Sequence, residues 1–446
     1  MIAVTPPRSS RRATEAGLLA LAGLIIGAAF ALVSLGRNQT LPANLVPFSV
    51  GVFALFLGAH VGVRKLAPRA DPLILPVVVV LNGLGYVFIA RLNDKLAAQQ
   101  AGWTALGVVG FIATLFVIKR VRMLDRVRYT VGLAGVILLI LPLLPGIGAR
   151  INGARIWVRL GVVSFQPGEF AKIALAVFFA AYLVERRELL GTATFKVGPF
   201  MTPDPKHLMP VLVAWGFSLV VMMFQRDLGS ALLFFVLFLT VLWIATERAS
   251  YLVVGTTLFG AGAYLSWTLF SHVQDRVSMW LDPWQDSQDK GYQIIQATYA
   301  FAWGGIWGTG LGVGLGRRVP IAESDFIFAI IGEELGLVGA TAILVLFLVL
   351  VGSGLRVAMR SRDPFAKLLA AGLTTLVGVQ SFIIMAGVTR LLPLTGLTLP
   401  FVSYGGSSLI SNWVLAALLV RLSDEVAERE RSSPSDDRTT VIAVTA

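Results

Sequence analysis

Apolar residues come in blocks of about twenty along this chain, divided by short polar and basic stretches. A bilayer core is crossed by roughly twenty mostly apolar residues in a helix, so each block predicts a membrane span. Twelve blocks qualify: 16–36, 44–63, 72–91, 101–118, 128–146, 168–184, 208–224, 229–246, 250–270, 326–352, 366–388 and 401–421. Two are marginal. The block 168–184 opens on Gly168-Glu169 and contains Lys172, and 208–224 is barely long enough. The widest gap, Ser271 to Asp325, predicts one long polar loop.

Twelve spans put both termini on one side. Lys and Arg are nearly twice as frequent there as on the other side, which marks it as cytoplasmic and the long loop as extracytoplasmic. The first block lacks a small-residue cleavage site and reads as a span, not a signal peptide. Residues 1–15 read as a cytoplasmic tail, and 422–446 as a polar, disordered one. The fold class is an all-α polytopic membrane protein.

Composition agrees. The chain is 56% hydrophobic and 14% charged, against roughly 25% charged for soluble domains. Its net charge of +12 sits in clusters between apolar blocks, the pattern of membrane topology and not of nucleic-acid binding. There is no cysteine, which excludes disulfides, thiol catalysis and thiolate metal sites. His60, His207 and His272 are far apart in sequence and argue against a histidine metal site.

Four segments carry polar residues that spanning alone does not require. In the first, Asn152-Gly153-Ala154-Arg155-Ile156-Trp157 leads through Arg159 to Phe165-Gln166-Pro167-Gly168-Glu169-Phe170-Ala171-Lys172. Glu169 and Lys172 share a helix face and can pair, either as a structural ion pair or as the wall of a polar groove. The second is Gln225-Arg226-Asp227-Leu228-Gly229, where Asp227 either caps the next helix or serves a site. The third is the long loop, with Arg276, Asp282, Pro283, Trp284, Asp286, Tyr292, Gln293 and a run of glycines ending near Asp325. Its length and aromatic content suggest a functional, ordered segment. No Gly-Lys-Ser/Thr follows the glycines, so a phosphate-loop reading is weak. The fourth runs from Leu391 through Pro393 and Pro400 to Ser403-Tyr404-Gly405-Gly406-Ser407-Ser408. Its prolines break the helix at membrane depth, where such backbone must be buried in protein or line a wet cavity. Glu333 and Glu334 point to the same wet interior.

Together these segments resemble the SEDS family of bacterial membrane proteins, the FtsW/RodA/SpoVE-like group. The resemblance runs from about Asp71 to Arg421, with Gly168 where the family usually has serine. It implies a core of ten transmembrane helices (71–421), to which 16–70 adds two N-terminal helices. That longer form, with Gly387-Val388-Thr389-Arg390, leans toward the RodA branch of actinobacterial type.

The resemblance further implies a peptidoglycan glycosyltransferase that polymerises lipid II at the outer face of the bacterial cytoplasmic membrane, beside a class B penicillin-binding protein. Asp286 matches the family's essential loop aspartate and is the expected base, with Asp289 a weaker rival. Arg155, Arg159, Lys172 and Arg276 are expected cations for the pyrophosphate, and Glu169, Asp227, Asp282, Tyr292, Gln293, Asp325, Ser403 and Ser407 complete the expected substrate site. Carboxylates suit Mg2+ or Mn2+, but no metal motif requires either. A lipid II flippase and a non-catalytic scaffold are the rival readings.

Overall fold

The computed structural model describes residues 8–43, 45–151, 153–161, 163–191, 195–197, 200–202, 216, 220 and 223–432. Four helices come first: α1 (Arg8–Asn38), α2 (Leu45–Leu66), α3 (Ile74–Leu92) and α4 (Asp94–Val117). Next are α5 (Arg128–Ile140), α6 (Gly168–Glu185), α7 (Leu228–Thr246) and α8 (Ala249–Leu269). The long loop holds α9 (Ser271–Leu281) and α10 (Tyr292–Gly304), followed by α11 (Ile327–Arg360), α12 (Pro364–Val388) and α13 (Gly406–Ser432).

Nine helices among the described residues are long and apolar enough to cross a membrane. The chain is a multi-pass membrane protein. α6 carries Glu169, Lys172 and Glu185, and α5 is shorter, so neither meets that measure. Most of the block expected at 208–224 lies outside the described residues.

The bundle is apolar inside and out, unlike a soluble protein. Leu24, Phe53, Phe116 and Leu265 point outward, as suits hydrocarbon. At the centre stand α3, α12 and α13, packed against α4, α6, α7 and α11. Helix ends are fixed by side chains. Asn93 accepts from Lys95 N (3.0 Å) and Leu96 N (3.3 Å) to start α4, and Asp363 accepts from Phe365 N (3.0 Å) ahead of α12. Arg421 donates to the carbonyls of Leu66 (2.6 Å), Ile118 (2.8 Å) and Leu115, closing the C-terminal ends of α2 and α4.

Four features differ from the sequence expectations. The gap 271–325, expected as an ordered loop, contains two helices and 3-10 turns at Pro283–Asp286 and Gly316–Arg318. α13 begins only at Gly406, and it continues past 421 to Ser432 with Leu422 and Val426 buried. The tail expected to be disordered from 422 is therefore helical to 432. Residues Gly148–Ile151 (β1), Ala154–Leu160 (β2) and Val163–Phe165 (β3) form an antiparallel meander, and a small hairpin pairs Phe195–Val197 with Phe200–Thr202. These strands are additions to the helical architecture. The alternation of Arg155, Trp157 and Arg159 with Ile156, Val158 and Leu160 is a period of two that a search for twenty-residue blocks passes over.

The last difference is a break in α11 at Gly336, whose φ of 67° and ψ of −167° suit only glycine. The backbone of 305–310 fills the break. Leu337 N donates to Gly305 O (2.9 Å), Thr309 N to Glu333 O (2.9 Å) and Gly310 N to Glu334 O (3.0 Å). Glu334 accepts from Gly312 N (2.8 Å) and from Arg91, and Glu333 from Leu315 N (2.7 Å). The glutamate pair thus latches the glycine-rich loop to the bundle instead of lining a wet cavity.

Candidate active site at the mouth of the bundle

The segment between α12 and α13 re-enters the bundle without regular structure, so its backbone needs partners at membrane depth. Side chains of the surrounding helices supply them. Gln380 donates to Thr398 O (2.8 Å) and Asn82 to Phe401 O (3.3 Å). Ser403 Oγ accepts from Leu399 N (2.9 Å) and donates to Ser324 O (2.6 Å), while Tyr404 N donates to Glu323 O (2.8 Å). Ser407 Oγ accepts from Gln166 N (2.9 Å). Ser403 and Ser407 are both buried; in this structure they tie the re-entrant segment to the residues before Asp325 and to the start of α6.

α9 lies over this segment. Trp280 Nε1 donates to Arg390 O (3.0 Å), and Arg390 Nη2 returns a bond to Trp280 O (3.2 Å). Arg276 Nη1 donates to Leu394 O (2.8 Å). Burial pulls the Arg276 guanidinium below its ordinary value, opposed by the negative charges of Asp227 and Asp325. Loss of hydration pushes the Asp325 carboxyl up, opposed by a bond from Ser324 Oγ (3.1 Å) and by Arg276. Asp227 caps α7 through Ser230 N (3.0 Å), the first of its two expected roles, and its charge also reaches Arg276. Arg276 thus joins α9 to the re-entrant segment at Leu394 O, within electrostatic reach of Asp227 and Asp325.

Beyond α9 the chain makes a tight turn. Asp282 Oδ1 accepts from Trp284 N (3.1 Å) and so caps the 3-10 turn. The turn closes when Gly291 N donates to Asp286 O (2.9 Å), with Gly291 so near Pro283 O that a Cβ there would clash. Trp284 packs edge-on against Tyr299 of α10, and Gln293 Nε2 donates to Pro320 O (3.2 Å). Tyr292 is exposed at the start of α10. The half-exposed Asp286 carboxylate has no hydrogen bond or ion pair among the described residues. Nearby Lys290 is paired with Asp275 (3.0 Å), which raises its ammonium above its ordinary value.

Arg155 and Arg159 fall on one face of β2, and their side chains have no hydrogen bond or ion pair among the described residues; Asn152 lies outside those residues. Glu169 and Lys172 behave differently. Both are buried, 2.8 Å apart, with Lys172 Nζ also donating to Gln380 Oε1 (2.9 Å) and Ser411 Oγ to Glu169 (3.5 Å). Gln380 and Arg390 were not singled out from the sequence, although an amide inside one apolar block and an arginine closing it were the available signals. Among the described residues no three His, Asp or Glu side chains gather as a metal site.

The family model for FtsW, RodA and SpoVE, described as a cell cycle protein, matches residues 70–428. A peptidoglycan glycosyltransferase RodA of Mycobacterium tuberculosis is 46% identical over 444 residues, covering 97% of this chain and 95% of that protein. A probable peptidoglycan glycosyltransferase FtsW of Geobacter sulfurreducens is 37% identical, covering 80% of this chain and 96% of that protein. Among solved structures, a peptidoglycan synthase complex described as coordinating polymerization and crosslinking has a chain that superposes with a TM-score of 0.65 at 26% identity, covering 82% of this chain and 99% of that one. With more than three quarters of its length matched by the family model, this chain belongs to the FtsW/RodA/SpoVE family and sides with its actinobacterial RodA members.

Proposed function

We propose that this chain is a peptidoglycan glycosyltransferase that polymerises lipid II at the outer face of the cytoplasmic membrane. Both termini lie in the cytoplasm, and a class B penicillin-binding protein cross-links the product. The naming of the mycobacterial and Geobacter relatives supports the reaction. The solved synthase complex, which joins polymerization to crosslinking, supports the partner. The observation that carries the reading is the folded outer loop itself, whose α9 is tied to the re-entrant segment through Arg276 and Trp280 and whose Asp286 carboxylate is left without a hydrogen bond or ion pair among the described residues. A flippase needs open polar groups along a transmembrane path, whereas Glu169 and Lys172 inside the bundle are spent on each other.

In the proposed reaction, Asp286 takes the proton from the acceptor sugar hydroxyl, and that oxygen attacks the anomeric carbon of the donor. The bond to the lipid pyrophosphate breaks, its electron pair leaving with the pyrophosphate. An aspartate with no internal partner keeps its oxygens available to a hydroxyl. Arg276, Arg155 and Arg159 stabilise the departing phosphate oxygens. Lys172 is neutralised inside the bundle and serves the fold. Residues 71–421 form the catalytic core, and the helices of 16–70 are appended to it.

Asp286→Ala and Asp286→Asn test this in purified protein given lipid II. Glycan polymer should fall by about 10²-fold or more, the scale of a lost general base, with an unchanged thermal midpoint. Undiminished polymer in both variants would move the base elsewhere in the loop, to Asp289 first.

A further inference from the structure

The two appended helices do not seal against the core. Between α1 and α2 on one side and α3 and α4 on the other lies a cleft of roughly 310 Å³, the size of a small ligand pocket. Its walls are apolar, built from Ile26, Phe48, Leu55, Phe56 and Ala105. Phe48 stacks on Tyr86 (5.1 Å) and leans on Phe30 (4.1 Å), which joins α1, α2 and α3 along one wall. Every wall belongs to a helix that can cross the membrane. Val50 and Phe53, on the same stretch of α2, are exposed on the outside of the bundle, so the cleft borders the lipid phase.

Two polar side chains in the lining decide what fits. Asn82 is fully engaged, donating to Phe401 O (3.3 Å) and accepting from Trp413 Nε1 (3.3 Å). Thr104 is 7% exposed, and its hydroxyl has no hydrogen-bond partner. A bare hydroxyl in hydrocarbon is costly, and a ligand carbonyl would relieve it. The hydrocarbon of a polyprenyl chain has no acceptor to offer.

We propose that this cleft binds one ester-linked acyl chain of a membrane glycerophospholipid, with Thr104 Oγ donating to the ester carbonyl. The bound chain would fill the seam that joins the appended helices to α3, whose Asn82 supports the re-entrant segment from behind.

The test uses phosphatidylglycerol with a diazirine in one acyl chain, incorporated into vesicles holding the full chain. Light-driven adducts should map to 47–56 and 101–105. Gly51 lines the cleft, and a Cβ there meets nothing within 4 Å, so Gly51→Phe, which starts into open space, should fill the cleft and abolish those adducts. Thr104→Val should lower them about two- to tenfold, the worth of one hydrogen bond. In unmodified protein, unlabelled phosphatidylglycerol should compete and undecaprenyl phosphate should not. Adducts undiminished in Gly51→Phe, or equal competition by undecaprenyl phosphate, would overturn the proposal. The readout is independent of glycan synthesis, and competition in the unmodified protein does not depend on either variant folding.

Discussion

The charged groups inside the bundle and those at its mouth are the same residue types under opposite rules. Inside, Lys172 is bound to Glu169 and Gln380, Arg91 to Glu334 and the carbonyl of Gly314, and Arg421 to three backbone carbonyls and Asp424. At the mouth, Arg276 holds one carbonyl and lies within electrostatic reach of two half-buried carboxylates, while Asp286, Arg155 and Arg159 have no hydrogen bond or ion pair among the described residues. Buried charge is tolerated in a membrane when it is paired. Where water or a polar ligand can reach, it can be left open. Inner charges are therefore paired within the frame, and the proposed chemistry draws on the ones at the mouth.

Removing one inner partner gives the largest expected effect. Lys172→Met leaves Glu169 buried without its counter-charge and should cost about 3–5 kcal/mol of stability, read as a lowered thermal midpoint and poor recovery in detergent. Adding Glu169→Gln should restore much of that loss, because two neutral side chains no longer require each other. If Lys172→Met kept its midpoint and lost only polymerisation, Lys172 would belong with the mouth, and the division between frame and chemistry would fail there.

How much of this was legible in the sequence follows from the range of each interaction. The spans were readable because twenty apolar residues in a row are a local signal, and the Glu169–Lys172 pair because its partners are three residues apart. The latch of Glu333 and Glu334 on the glycine loop joins residues about twenty positions apart around a helix break, and Gly336 alone does not announce that break. Ser403 and Ser407 stood out as polar residues in an apolar region. Their partners, Ser324 O and Gln166 N, are backbone atoms far away in the chain, which no residue pattern encodes. The meander bearing Arg155 and Arg159 was missed because its strands are much shorter than a span. The free carboxylate of Asp286 came through the family resemblance, since an unpartnered aspartate in a loop looks like any other.

At the mouth, Arg276→Ala should lower polymerisation by about 10²-fold, the loss of one cation aimed at developing charge, while shifting the thermal midpoint much less than Lys172→Met does. Arg276→Lys should recover part of the rate, since an ammonium supplies charge without the planar fork that also holds Leu394 O. Rates of single variants at Arg155 and Arg159 should fall less, because each leaves the other in place. Equal losses in rate and midpoint for Arg276→Ala would make it a structural tie between α9 and the re-entrant segment.

The smallest effect is expected from Asp325→Asn, and it appears in the pH dependence of stability. Burial raises the Asp325 carboxyl above the ordinary aspartate value, and Arg276 offsets only part of this. The folded protein therefore keeps its proton where the unfolded chain has already released it. Stability from this group is present below the ordinary aspartate value and is lost as pH rises through the raised one. Asparagine does not titrate, so Asp325→Asn should flatten that decline and leave the variant the more stable at neutral pH, by on the order of a degree or two in midpoint. Scanning the midpoint from pH 4 to 8 for parent and variant measures this directly. Parallel curves would mean that Asp325 is hydrated like a surface carboxylate. A variant less stable than its parent at neutral pH would mean that its pairing with Arg276 outweighs its burial, so that Asp325 follows the rule of the inner charges and the boundary between the two regions lies one residue further out.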